Sequence, residues 1–243
     1  MRRRLVGVGV GPGDPELVTV KGARLLRDAD AVLVPVLAGD PEPRDAGRAE
    51  TIVAEYADAV RVRRVVFELG EGRAAAWAAA GAVVADTFAR GARTVAFATI
   101  GDPAVYSTFT HVARAARERV PELLIETVPG ITAMQDLASR SGTTLCVGSE
   151  TLALLPLTAG LGAFEEALAG FDTVVAYKGG RNMRAVLEAV RAADRLDRAV
   201  YGAYLGLSGE DIRPAVQVDP GEAPYLSTLI VPAGADPGTE RDR

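Results

Sequence analysis

The chain has 243 residues, 49% of them hydrophobic, with 27 basic and 32 acidic side chains and a formal net charge of −5. That length carries one large domain or two small ones with a working core. Its interspersed charges form no basic stripe, so no nucleic-acid partner is expected. Cys146 is the only cysteine and His111 the only histidine, which excludes an intramolecular disulfide, a cysteine or histidine metal cage, and any mechanism needing two histidines. So little cysteine fits a reducing, cytoplasmic setting. The basic start, Met1-Arg2-Arg3-Arg4, precedes a run too mixed for a signal peptide and too short for a membrane span.

In chain order, residues 5–10 form a valine-rich apolar run that reads as a buried strand. Gly11-Pro12-Gly13-Asp14-Pro15 cannot continue it, because the prolines and glycines break regular structure. Asp14 and Pro15 suit the N-cap and first turn of a helix over 16–28. Residues 31–36 read as a second strand, stopped by Pro35 and by a polar stretch over 38–50 that reads as a mobile loop. Helical text follows around 49–56, then a strand at 63–67 and a long alanine-rich helix over 73–90. A buried strand at 94–99, a helix over 109–119 and a strand at 124–128 complete this half. Strand and helix alternate, which argues for a mostly parallel sheet.

After Pro129 the pattern restarts. Helices are predicted over 131–141, 164–169 and 183–193, with strands at 153–157, 173–177, 199–205 and 226–231. The expected fold class is therefore α/β, with two α/β domains built on mostly parallel or mixed sheets. The first covers 1–127 and the second 128–232, and a charged, Gly/Pro-rich tail over 233–243 reads as disordered.

Loops at the carboxyl ends of parallel strands carry function. Three stand out: residues 7–15, 100–105 and 129–133. The first fails the dinucleotide test, because G-x-G-x-x-G counted from Gly7 or Gly9 requires glycine where Pro12 or Asp14 stands. It fails the P-loop test as well, since no Gly-Lys-Ser/Thr follows. In the second loop, Gly101 permits close backbone approach, and Asp102 either accepts from an ammonium group or caps the next helix. In the third, Thr132 and Ala133 lie at a helix N-terminus and either contact a ligand there or simply cap the helix. His111 reads as a surface or packing residue, Cys146 as filler of a core gap, and Trp77, Tyr201 and Tyr204 as packing residues. Lys178 reads as a cleft cation or a solvated lysine. No Ser/His/Asp set, helical acid pair or metal-ligand cluster is evident, so hydrolytic chemistry is a poor fit.

Taken together, these loops resemble the tetrapyrrole methylases. Val6-Gly7-Val8-Gly9-Val10-Gly11-Pro12-Gly13-Asp14-Pro15-Glu16-Leu17 is similar to that family's opening signature. Ile100-Gly101-Asp102-Pro103-Ala104-Val105-Tyr106-Ser107 resembles its second motif and Val128-Pro129-Gly130-Ile131-Thr132-Ala133 its third, in order and at the right spacing. The likeness extends to Pro224-Tyr225-Leu226-Ser227. It implies a two-domain α/β fold, a homodimer, and S-adenosyl-L-methionine held between the domains. Cofactor contacts carry over to Pro12, Ile100, Gly101, Asp102, Val105, Thr132, Ala133 and Tyr177, with a further contact around 203–206. Tyr177 stands where relatives of this kind usually have methionine.

Within the family, the string over 101–109 and the Tyr177-Lys178 pair followed by Arg181 resemble the branch that methylates the C-20 meso carbon of precorrin-2, or of its cobalt form, in cobalamin synthesis. Arg44, Arg48 and Arg181 are candidates to pair with the carboxylates of such a substrate. Alternatives are a sister methylase acting at another ring position, the related diphthine synthases or ribosomal RNA methylases, and, from another class, a non-catalytic nucleotide-binding module.

Overall fold

Alternate side chains of β1 (Arg4–Gly9) enter two different apolar layers, and that alternation sets the architecture of the first unit, Met1–Thr132. We describe the protein from a computed structural model over residues 2–37, 47–67, 73–224 and 226–234. Val6 and Val8 pack with Leu26 of α1 (Val20–Asp28) and with Ile52 and Val53 of α2 (Arg48–Val53). Leu5 faces the other way, into a layer with Phe88 of α3 (Arg73–Ala89) and Phe109 and Val112 of α4 (Phe109–Arg119). Between these layers lies a fully parallel sheet of β1, β2 (Ala31–Leu37), β3 (Val62–Phe67), β4 (Thr94–Thr99) and β5 (Leu124–Val128), in the order β3-β2-β4-β1-β5. A parallel sheet covered on both faces explains why β1, β2 and β4 read as nearly continuous apolar runs, whereas β3 and β5, at the two edges, carry charged residues.

Two local expectations change. The helix predicted over 16–28 is broken. Asp14 caps only a short 3-10 turn at Pro15–Leu17, its side chain accepting from the Glu16 N–H. Val18 is then extended, and the Thr19 side chain caps α1 by accepting from Gly22 N at 3.1 Å. The β-branched Val18 and Thr19 resist helix, and a threonine N-cap starts a new one. Pro35 does not stop β2 but lies within it, opposite Val65. Pairing with β4 ends at Leu33, so β2 has an open side there, the setting in which a strand proline is tolerated.

Asp30, beside the start of β2, accepts the backbone N–H groups of Thr94 and Arg93, both at 2.8 Å. These bonds hold its carboxyl below the usual 3.8, with Thr94 the larger cause. A depressed carboxyl contributes stability that is present above its ordinary value and lost as pH falls through its folded value. Asp30→Asn is therefore expected to lose stability near neutrality and to show a shallower acid limb. Urea midpoints at about pH 6 and about pH 3 check this, and parallel curves for the two proteins would contradict it.

The second unit, Ala133–Arg243, carries a mixed sheet of β6 (Leu152–Pro156), β7 (Thr173–Tyr177), β8 (Val200–Ala203), β9 (Asp211–Pro214) and β10 (Ser227–Val231), in the order β6-β7-β10-β8-β9. Only β6 and β7 pair in parallel. α6 (Leu161–Gly170) and α7 (Met183–Ala192) cover one face through Phe164, Val186 and Val190. α5 (Ala133–Ser141) covers the other through Leu137, against Val175 and Ile230. Sequence reading places the domain boundary at 127/128, whereas the two units divide after Thr132.

Cys146 does not fill a core gap: it is exposed. Tyr201 is a core residue at 1% exposure, but Tyr204 is 36% exposed. Trp77 stacks on His111 with ring centroids 3.8 Å apart, joining α3 to α4. No helix among the described residues is long and apolar enough to cross a membrane.

Candidate active site

The carboxyl ends of β4, β1 and β5 lie side by side, and each opens into one of the three motif loops. These loops are locked to one another by backbone. Gly101 N donates to Gly11 O at 2.8 Å, forming an isolated bridge between the first two loops. Both glycines are left-handed, Gly11 at φ 79° and Gly101 at φ 68°, a conformation that disfavours other residues. Asp102 joins the second loop to the third. Its Oδ2 accepts from Gly130 N at 3.0 Å, and its Oδ1 accepts from Ala104 N at 2.7 Å to close the local turn.

Close packing explains Gly9. A Cβ on Gly9 would stand 2.5 Å from Gly101 O and 2.6 Å from Gly130 N. Gly9 and Gly130 thus serve contact between loops, a role that requires no phosphate-binding register. Asp102 does not cap α4, as one reading held. That helix starts at Phe109, and Ser107 Oγ accepts the Phe109 N–H while sharing a 3.0 Å hydrogen bond with Thr99 Oγ1.

In the second unit, the Tyr177 hydroxyl at the end of β7 accepts from Met134 N at 2.9 Å, in the first turn of α5. The tyrosine therefore anchors the helix N-terminus that begins at Ala133. Lys178 follows at φ 64°, and its N–H donates to Ser227 O at 3.1 Å. Tyr106 after β4 (φ 49°) and Tyr204 after β8 (φ 52°) are also left-handed. Among the described residues, three of the four such non-glycine residues thus follow strand carboxyl ends, where strain of this kind marks functional loops. Desolvation raises the pKa of the Tyr106 hydroxyl above the ordinary phenol value.

Pro12, Ile100, Gly101, Asp102, Val105 and Thr132 fall on the loop edge of the first unit, and Gly101 lies 3.9 Å from the Thr132 Cα, measured from where a Cβ would stand. Ala133 and Tyr177 converge at the start of α5. Arg48 opens α2 rather than lying in a loop, Arg181 belongs to a 3-10 turn at Gly180–Asn182, and Arg44 lies outside the described residues. Sequence reading missed the Gly130 amide as the partner of Asp102. It also missed the ion pairs of Asp136 and Glu210 with Arg140, although the spacing of Asp136 and Arg140 on one helix was a usable signal.

A parallel sheet with interlocked glycine loops at its strand ends, followed by a mixed-sheet unit, defines a two-unit α/β protein. The chain belongs to the Tetrapyrrole (Corrin/Porphyrin) Methylases, whose family model matches residues 4–217. It is 32% identical to a precorrin-2 C(20)-methyltransferase of Sinorhizobium sp, over 96% of each chain. A cobalt-precorrin-2 C(20)-methyltransferase of Salmonella typhimurium is 29% identical over 95% of this chain and 97% of its own. The solved uroporphyrin-III C-methyl transferase of Thermus thermophilus, complexed with S-adenyl homocysteine, shares the fold at TM-score 0.64 and 20% identity, over 93% of this chain and 96% of that one.

Proposed function

We propose that this protein is an S-adenosylmethionine-dependent methyltransferase acting on the C-20 meso carbon of precorrin-2, or of its cobalt complex, in cobalamin synthesis. The observation that carries the reading is the end-to-end likeness to C(20)-methyltransferases, in a chain whose three motif loops interlock. Pro12, Ile100, Gly101, Asp102, Val105, Thr132, Ala133 and Tyr177 are the cofactor residues in this reading, and the turn at 203–206 supplies a further contact. They fit the role. Gly101 has no backbone or side chain crowding its Cβ direction closer than 3.9 Å, and an α-helix N-terminus starts at Ala133.

The cofactor supplies a sulfonium methyl that is already activated toward direct displacement by a nucleophilic carbon, with S-adenosylhomocysteine as leaving group. The protein then needs to position the two reactants and exclude water, more than to exchange protons. Asp102 serves this by fixing the third loop against the second. Arg48, Arg181 and Arg44 are proposed partners for the acetate and propionate groups of the substrate. A cytoplasmic homodimer completes the proposal, and light scattering of the purified chain tests the dimer.

The deciding experiment is mass analysis of precorrin-2 and of its cobalt form after incubation with the enzyme and S-adenosylmethionine. One added methyl at C-20 is expected. No methyl gain overturns the proposal, and a gain at another ring position moves the chain to a sister activity.

A further inference from the structure

The turn after β8 is tied to α5 by a chain of charged groups. Glu210 Oε2 accepts the Gly206 N–H at 2.6 Å and lies 3.2 Å from Arg140 Nη1. Arg140 Nε donates to Asp136 Oδ1 at 2.8 Å, one helical turn back on α5. Asp136 is 5% exposed, and its Oδ2 is buried with no hydrogen-bond partner among the described residues. Beside it, Leu137 packs so closely on Gly202 of β8 that a Cβ there would stand 2.7 Å from Leu137 Cδ1. An exposed ion pair contributes little to stability. This one is anchored by a buried carboxylate, which is costly to retain, and it ends on a backbone amide.

The segment it ends on is strained. Tyr204 is left-handed at φ 52° and Gly206 at φ 68°, and Leu207 N closes the turn on Tyr204 O at 2.9 Å. Such a conformation persists only where its surroundings enforce it. We propose that Asp136, Arg140 and Glu210 form a positioning relay that holds the turn at 204–206 and thereby sets the affinity for the cofactor. The second half of the proposal rests on the reading that this turn borders S-adenosylmethionine.

The test compares Arg140→Ala, Arg140→Lys and Glu210→Gln with the wild type. Hydrogen exchange over 204–210, titration with S-adenosylhomocysteine and steady-state kinetics are measured. Arg140→Ala is expected to speed exchange in that segment about tenfold. It is expected to raise both the S-adenosylhomocysteine Kd and the KM for S-adenosylmethionine by about tenfold. The kcat at saturating cofactor should stay within about twofold, because the relay touches no reacting atom. Arg140→Lys recovers part of each change. If Arg140→Ala fails to fold with Asp136 left unpaired, the double change Asp136→Asn with Arg140→Ala, and Glu210→Gln alone, carry the same expectations. Unchanged exchange overturns the relay, and faster exchange with unchanged affinity overturns its link to the cofactor. A wild type that binds no S-adenosylhomocysteine overturns the functional reading itself, and the exchange measurement still decides the relay.

Discussion

Gly9→Ala is expected to abolish detectable S-adenosylhomocysteine binding while destabilising the chain by about 2–3 kcal/mol. The new Cβ would stand 2.5 Å from Gly101 O, 2.6 Å from Gly130 N and 2.7 Å from Gly130 Cα. Every obstacle is backbone, so no rotamer change relieves it. The loops themselves must part, and they are fastened by the bonds from Gly101 N to Gly11 O and from Gly130 N to Asp102 Oδ2. A loop displacement of about 1 Å is enough to cost on the order of a hundredfold in a positioned reaction.

Gly7→Ala is the informative control. Its Cβ would meet the Phe109 ring at 2.6 Å, a buried side chain of the α3 and α4 layer rather than the backbone of another loop. It should destabilise comparably and leave cofactor affinity within about threefold. Thermal unfolding with calorimetric titration checks both variants. Wild-type affinity in Gly9→Ala would sink the interlock argument.

The same contrast shows what the sequence made legible. The strands at β4, β5 and β7 and the helix α4 have the predicted bounds, because their apolar runs end at glycine, proline or charge clusters. The three loops were found because strand, glycine and short polar residue recur in the same order. What each glycine does was not legible, since Gly9 and Gly130 come together only once β1 and β5 pair. β9 was missed because Asp211-Ile212-Arg213-Pro214 has one apolar residue and ends in proline. It is an edge strand held to β8 by its backbone rather than by an apolar pattern. The second sheet is mixed because β10 runs antiparallel to both β7 and β8 while β6 and β7 run parallel. The break at Val18 was hidden because a threonine N-cap inside helical text looks like any surface residue. Arg195 looks in sequence like one more surface arginine, yet only 7% of it is exposed.

Replacing that arginine tests the second unit. Arg195→Met is expected to cost about 3–5 kcal/mol, a large share of a typical domain's stability. The guanidinium follows α7 and donates to backbone carbonyls from three other places. Nη1 reaches Leu168 O at 3.0 Å and Phe171 O at 3.2 Å, at the end of α6. Nη2 reaches Asp172 O, just before β7, and Val231 O and Pro232 O, both at 3.1 Å, at the end of β10. Burial pushes the arginine's pKa down, with Arg198 adding to the shift and Asp172 opposing it. Methionine fills the volume but donates nothing, so several carbonyls lose their partner in a site that water enters poorly. Lysine restores the charge without the planar fork and should recover less than half. Urea unfolding of the two variants measures the cost. A loss under about 1 kcal/mol for Arg195→Met would mean that water replaces the guanidinium and that α6, β7 and β10 hold together without it.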